Sequence, residues 1–149
     1  MSSSESKKLH ILVVDDEHTI TMLLARDLRD EGFEVIVANS VFEARERIKS
    51  ILQNGGLDVV LTDWDMKPDG LAAGAKVLEA SRLSGINKLI AMSGRLILDG
   101  RVGDAEDEVK REMRLAGATG FIEKPFSVQQ AVQAITSVME TDQSEAENK

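Results

Sequence analysis

Five short apolar runs alternate along the chain with longer stretches whose apolar residues recur at helical spacing. Each run is almost continuously rich in Val, Ile and Leu, as expected of strands that are covered on both faces. A strand–helix unit repeated five times predicts a parallel sheet with right-handed crossovers and helices on both faces, which is a doubly wound α/β fold. The predicted strands are LHILVV from Leu9, FEVIVA from Phe33, LDVVLT from Leu57, KLIAM from Lys88 and TGFIE from Thr119.

The helices predicted between and after these strands each have one apolar face. Glycines stand directly after four of the periodic segments, where helices commonly end, and Ser127 is a candidate N-cap for the last helix. The apolar faces include Ile20, Leu24 and Leu28 in the first helix, Leu71, Ala75 and Leu78 in the third, and Val128, Val132, Ile135 and Met139 in the last.

These elements place one domain between residues 9 and 139 of the 149-residue chain. Residues 1–8 and 140–149 are polar and lack apolar periodicity, so we expect two disordered tails, the second of them acidic. One ordinary domain accounts for a chain of this length, and we expect no attached output domain.

The composition excludes several classes of function. The chain has no cysteine, which excludes disulfides and thiolate metal sites, and its apolar runs are too short to cross a bilayer. Its net charge of -8 opposes binding to a phosphate backbone. We therefore expect a cytoplasmic protein that contacts neither nucleic acid nor membrane directly.

Polar residues end four of the predicted strands. The first strand is followed by Asp15 and Asp16, the third ends in Asp63, the fourth in Ser93, and the fifth is followed by Lys124. In a doubly wound sheet the functional crevice lies outside the carboxyl ends of the strands. If the strand order is 2-1-3-4-5, the first and third strands are neighbours and the three carboxylates converge.

Three clustered carboxylates without His or Cys are typical of a binding site for a hard divalent cation, and Mg²⁺ is the expected ion. An aspartate held beside Mg²⁺ and a lysine can attack a phosphoryl group, because both cations neutralise charge on the equatorial oxygens. The hydroxyl of Ser93 adds a hydrogen-bond donor for the same oxygens. The joint placement of these residues, rather than any one of them, predicts phosphoryl transfer.

From residue 9 to about residue 139 the chain resembles the receiver domain of response regulators in two-component signalling. The resemblance implies the flavodoxin-like form of the doubly wound fold, a five-stranded parallel sheet of order 2-1-3-4-5. The motifs that carry it are Val14-Asp15-Asp16-Glu17, Leu61-Thr62-Asp63-Trp64-Asp65-Met66, Met92-Ser93-Gly94 and Glu123-Lys124-Pro125-Phe126.

The resemblance also implies a role for each matched site residue. Asp63 would be the phosphoacceptor, and Asp15 and Asp16 would be the metal-binding pair. Asp63 itself and the backbone carbonyl of Asp65 would complete the protein ligands of Mg²⁺. Lys124 would pair with the phosphoryl group.

Two further residues would convert phosphorylation into a change of surface. By resemblance, the hydroxyl of Ser93 would move to the phosphoryl group and the ring of Phe121 would turn inward behind it. The implied phosphodonor is a sensor histidine kinase or a histidine phosphotransferase. A downstream protein would bind the face formed by the fourth helix, the fifth strand and the fifth helix. Such a protein is a switch rather than an enzyme, apart from self-catalysed phosphorylation and dephosphorylation.

Two segments depart from the usual form of the family. The turn after Asp63, Met66-Lys67-Pro68-Asp69-Gly70, is one residue shorter, and the proline is displaced by one position. The segment from Gly94 to Glu106 is longer. It starts next to Ser93 and leads into the face that includes the fourth helix, so we expect it to contribute to partner recognition.

Two other functions are compatible with parts of the sequence. Asp63-Trp64-Asp65 is an acid-x-acid motif, as in phosphatases of the haloacid-dehalogenase type, but there the motif opens the domain, whereas here the Asp15–Asp16 pair comes first. An interaction module that never takes phosphate is disfavoured by the complete acidic site. For Trp64, the sequence leaves open partial exposure near the metal or burial in the core.

Overall fold

The computed structural model describes residues 8–54, 56–94 and 103–147, in which five strands alternate with five helices. The predicted doubly wound α/β fold is confirmed, and each strand begins and ends within two residues of its predicted run. The elements are β1 His10–Val14, α1 His18–Asp30, β2 Glu34–Ala38, α2 Val41–Asn54, β3 Val59–Asp63, α3 Gly74–Leu83, β4 Leu89–Ser93, α4 Gly103–Ala116, β5 Gly120–Glu123 and α5 Val128–Glu147.

The five strands form one parallel sheet in the predicted order β2-β1-β3-β4-β5. Asp63 at the end of β3 pairs with Met92 of β4, and Ser93 at the end of β4 pairs with Glu123 of β5. The carboxyl ends of the three strands therefore meet at one edge of the sheet.

Two layers of helices bury the sheet. α1 and α5 pack on one face, and α2, α3 and α4 pack on the other. Successive side chains of a strand point to opposite faces. Ile11 and Val13 therefore pack in the core under α1 and α5, and Leu12 and Val14 pack in the core under α2, α3 and α4. β3 and β4 are buried at every residue, which is why their sequences are almost continuously apolar.

Two element boundaries differ from the expected ones. The segment from residue 140 onwards, which we expected to be disordered, is helical as far as Glu147. It contains neither Gly nor Pro, so nothing in its sequence stops the helix that precedes it. Leu71, which we placed on the apolar face of the third helix, precedes α3 and is 75% exposed.

The first residue of α3 packs against the end of β3. The amide of Gly74 donates to the Trp64 carbonyl at 2.8 Å, and a Cβ atom on Gly74 would collide with the backbone oxygen of Asp63. Only glycine allows this approach without displacing the backbone. The contact fixes the segment that follows β3 against the start of α3.

Two arginines cover the free edge of the sheet, along β2. The carbonyls of Val35 and Val37 point away from β1, since β1 pairs with β2 through the alternate residues Glu34, Ile36 and Ala38. The Arg29 guanidinium of α1 donates to the Val35 carbonyl at 2.8 Å, and Arg47 of α2 donates to the Val37 carbonyl at 3.2 Å. Both outward acceptors are thus occupied by side chains of the same molecule.

Within the described residues, no helix is both long enough and apolar enough to cross a membrane.

Candidate functional site

Three of the predicted carboxylates meet at the carboxyl edge of the sheet. Asp15 and Asp16 follow β1, Asp63 ends the neighbouring strand β3, and one oxygen of each lies within 4.8 Å of the others. Asp15 is completely buried and Asp63 nearly so, whereas Asp16 is partly exposed. The amide of Glu17 donates to Asp15 Oδ1 at 3.0 Å. The adjacency of β1 and β3 produces this cluster, as the strand order predicts.

Lys124 reaches the same cluster from the loop after β5. Its Nζ atom lies 2.8 Å from Asp15 Oδ2 and 3.2 Å from Asp63 Oδ1. The amide of Lys124 donates to the Ser93 carbonyl at 3.0 Å, which continues the pairing of β4 and β5 by one residue. The backbone pairing therefore holds the base of the lysine side chain, and the side chain bridges two carboxylates.

Burial and charge shift the protonation of these groups. Burial, followed by the charge of Asp15, raises the pKa of Asp63 to about 7, although Lys124 acts in the opposite direction. The pKa of Asp15 is also raised, mainly by burial. Burial acts to lower the pKa of Lys124, but its contacts with Asp15 and Asp63 outweigh this and raise it. The raised pKa of Lys124 keeps it charged at neutral pH, and the raised pKa of Asp63 makes its carboxylate easier to protonate than that of an ordinary aspartate.

The shortened turn after β3 touches the acidic cluster. The amide of Lys67 donates to Asp16 Oδ2 at 3.0 Å. Within the turn, the amide of Ala72 donates to Asp65 Oδ1 at 2.7 Å. Among the described residues the carboxylate of Asp65 does not join the three-carboxylate cluster, so only its backbone carbonyl is left for the ligand role that the resemblance implies.

The residues implied to act as a switch lie on β4 and β5. Ser93 is buried at the end of β4, in the strand next to Asp63. Phe121 of β5 is half-buried and packs against the core on the α4 side of the sheet. Two basic side chains of α4 lie over its ring, Lys110 Nζ at 5.7 Å and Arg114 Cζ at 5.3 Å from the centroid.

Trp64 is a core residue rather than a surface neighbour of the metal. It is 1% exposed and belongs to the hydrophobic core between the sheet and α2, α3 and α4. Of the two placements that the sequence left open, the structure selects burial. Of the lengthened segment 94–106, residues 95–102 lie outside the described residues, and Gly103 begins α4.

Sequence reasoning missed Asn39, which directly follows β2 at the same edge. Its side-chain amide donates to the Asp15 carbonyl at 2.8 Å and to Thr21 Oγ1 at 3.0 Å. The position of Asn39 was available as a clue, because it is the polar residue directly after the second strand, as Asp15 is directly after the first, but its contact with the Asp15 backbone was not.

The donor set fits Mg²⁺. Three carboxylate oxygens converge among the described residues without an imidazole or thiolate, and the single positive charge of Lys124 leaves the cluster net negative when all three carboxylates are ionised. A hard divalent cation prefers such oxygen ligands and supplies the missing charge. Asp15, Asp16 and Asp63 would hold it.

Comparison with known proteins gives the family. The sequence profile of the response regulator receiver domain matches residues 11–136. A putative response regulator NtrX-like protein of Rickettsia conorii is 31% identical over 144 residues, which are 95% of this chain and 27% of that protein. The transcriptional regulatory protein PdtaR of Mycobacterium tuberculosis is 31% identical over 126 residues, 84% of this chain and 54% of that protein. The chain thus spans between about a quarter and about half of the length of these relatives.

Solved structures give the same answer for the fold. The chemotaxis protein CheY4 of Vibrio cholerae superposes with a TM-score of 0.71 at 24% identity, over 89% of this chain and 99% of that one. A CheY-like response regulator receiver domain protein of Methanospirillum hungatei superposes with a TM-score of 0.71 at 25% identity, over 93% and 99%. Fold, profile and sequence relatives agree, and they leave no support for the phosphatase alternative. The chain belongs to the response regulator receiver domain family, whose members are phosphoacceptor switches of two-component signalling.

Proposed function

We propose that Asp63 of this chain accepts a phosphoryl group from the phosphohistidine of a sensor histidine kinase or a histidine phosphotransferase, in a Mg²⁺-dependent reaction. One observation carries the proposal: Lys124 Nζ lies 3.2 Å from Asp63 Oδ1, and one carboxylate oxygen each of Asp15, Asp16 and Asp63 lie within 4.8 Å of one another. An acceptor at this position has a nucleophilic oxygen, a cation beside it and ligands for a second cation.

An oxygen of Asp63 attacks phosphorus, the P–O bond forms, and the P–N bond to the histidine of the donor breaks. Lys124 pairs with an oxygen of the transferred group. Mg²⁺, held by Asp15, Asp16, Asp63 and the carbonyl of Asp65, would neutralise further charge on the phosphoryl oxygens.

In this proposal, water can also remove the phosphoryl group from Asp63. Gly94 follows Ser93 at this edge, and among the described residues a Cβ atom added there would meet nothing within 4 Å. The position carries no side chain that shields the acceptor, so self-catalysed dephosphorylation belongs to the proposal. The chain turns over no external substrate in this scheme.

The output is a change in protein binding. Phosphorylation adds roughly -1.5 to -2 charges beside existing carboxylates, which attracts hydrogen-bond donors. The hydroxyl of Ser93 is the donor we assign, and Phe121 turns inward as Ser93 moves. A downstream protein then binds the face formed by α4, β5 and α5 in one state of the switch. The cytoplasmic location expected from the sequence stays a prediction.

The test is phosphorylation by acetyl phosphate, followed by intact-mass measurement. We expect one phosphoryl adduct when Mg²⁺ is present and none when it is chelated. Asp63→Asn should remove the adduct, and Asp30→Asn, at the exposed end of α1, should retain it. An undiminished adduct in Asp63→Asn would contradict the assignment of the acceptor. An adduct that forms equally well without Mg²⁺ would contradict the metal dependence.

A further inference from the structure

The side chain of Asn39 connects the end of β2 to the loop that carries the acidic pair. Its Nδ2 atom donates to the backbone carbonyl of Asp15 at 2.8 Å and to the hydroxyl of Thr21 at 3.0 Å. Thr21 itself donates to the carbonyl of His18 at 3.0 Å, so its oxygen is an acceptor for Asn39. Both partners of Asn39 are acceptors, which fixes the orientation of the amide with its NH₂ group toward them.

These bonds are not needed to begin α2. Glu43 Oε1 accepts a hydrogen bond from the backbone amide of Asn39 at 2.8 Å, and the backbone amide of Glu43 donates to Ser40 Oγ at 3.0 Å. This reciprocal arrangement of side chains and amides caps the start of the helix without the Asn39 side chain. The carboxamide of Asn39 therefore acts on the loop after β1 and on the first turn of α1 rather than on α2.

The bond to Asp15 acts on the geometry of both acidic residues. The carbonyl of Asp15 belongs to the planar peptide that joins it to Asp16, so fixing this oxygen also fixes where the Asp16 side chain begins. On the far side, Asp16 Oδ2 accepts the amide of Lys67 at 3.0 Å. The acidic pair is thus held between the end of β2 and the turn after β3.

We propose that Asn39 is a positioning residue of the metal site, which holds Asp15 and Asp16 in the arrangement that binds Mg²⁺. The inference rests on the proposed function, because that function assigns Mg²⁺ to these carboxylates. Asn39 contacts neither the ion nor the phosphoryl group in this scheme and acts through the backbone of Asp15. Loss of an outer hydrogen-bond partner of a metal ligand commonly lowers metal affinity about 10- to 100-fold.

The experiment measures Mg²⁺ binding by calorimetry in the full chain and in three variants. Asn39→Ala removes the donor, Asn39→Ser retains a small hydrogen-bonding group, and Asn87→Ala is a matched control at an exposed asparagine before β4. We expect Asn39→Ala to weaken Mg²⁺ binding at least tenfold, Asn39→Ser to weaken it less, and Asn87→Ala to leave it unchanged.

A second readout needs no metal. The amides of Glu17 and Lys67 donate to the carboxylates of Asp15 and Asp16, so their hydrogen exchange reports the placement of the pair. In metal-free Asn39→Ala both amides should exchange faster, while the amide of Glu43, bonded to Ser40, should keep its protection. Faster exchange at all three amides would show a general loss of structure and would overturn the positioning role.

The outcomes separate the two proposals. If the unaltered chain binds Mg²⁺ and Asn39→Ala binds it equally well, the positioning role is wrong and the proposed function stands. If the unaltered chain binds no Mg²⁺, both the metal dependence and the role of Asn39 are wrong.

Discussion

Lys124 forms its shorter ion pair with Asp15 rather than with Asp63, the residue we propose as phosphoacceptor. The Nζ atom lies 2.8 Å from Asp15 Oδ2 and 3.2 Å from Asp63 Oδ1. Asp15 is the more deeply buried of the two carboxylates, so it gains more from a neighbouring cation. In the metal-free protein the lysine therefore stabilises the acidic site, in addition to the pairing with the phosphoryl group that we propose for it.

Removal of this lysine should destabilise the metal-free protein. Lys124→Ala leaves Asp15 and Asp63 buried without a cation, and we expect the free energy of unfolding at pH 8 to fall by about 2 kcal/mol. Mg²⁺ should recover part of the loss, since it supplies positive charge to the same carboxylates. Urea denaturation with and without Mg²⁺ measures both effects, and Lys76→Ala on the exposed face of α3 is the control. Equal stability of the two variants without Mg²⁺ would contradict this role.

The raised pKa of Asp63 predicts how stability depends on pH. Its pKa is about 7 in the folded protein against 3.8 for an ordinary aspartate, so between these values the folded state binds more protons than the unfolded state. The contribution of Asp63 to stability therefore falls as pH rises from about 4 to about 7. Asp63→Asn should match the unaltered chain at pH 4 and be more stable at pH 8, by at most about 4 kcal/mol without Mg²⁺. The measurement is urea denaturation at both pH values.

A pH-independent difference between the two proteins would show that the asparagine acts through packing instead. Asp30→Asn, at an exposed position, should show no such pH-dependent gain.

The strands and the residues at their ends could be predicted because both depend on local pattern, whereas the strand order followed from the family resemblance. Apolar runs identify strands, strand order places β1 beside β3, and the residue that ends each strand lies at the functional edge. Asn39 was missed because its partner, Asp15, is distant in sequence and the contact is to a backbone oxygen, which no residue pattern displays. Trp64 could not be assigned from sequence, since a residue that follows a strand can point into the core or into the crevice.

The covered edge of the sheet predicts that two arginines limit association between molecules. Without Arg29 and Arg47, the outward carbonyls of Val35 and Val37 would be free to pair with a strand of another molecule. The double variant Arg29→Ala, Arg47→Ala should therefore associate as concentration rises. Sedimentation velocity over a concentration series measures this.

The matched control removes one exposed arginine from each of the same helices, Arg26 from α1 and Arg45 from α2. If both double variants sediment alike at every concentration, the arginines do not protect the edge.

The basic side chains over Phe121 predict a bias in the switch. Lys110 and Arg114 of α4 face the ring at 5.7 and 5.3 Å, a geometry in which each cation is attracted to the aromatic face by about 0.5–1 kcal/mol. If Phe121 turns inward on phosphorylation, these contacts break, so they favour the unphosphorylated state. Lys110→Ala with Arg114→Ala should lower the concentration of a phosphoryl mimic, beryllofluoride with Mg²⁺, that half-converts the Phe121 ring signals in NMR spectra. We expect a three- to tenfold decrease, which corresponds to the loss of roughly 1 kcal/mol.

Arg111→Ala, which changes an exposed residue of the same helix, should leave the midpoint unchanged. An unchanged midpoint in the double variant would show that the two cations do not restrain the ring, whereas ring signals that never respond to the mimic would instead refute the role of Phe121 as the switch.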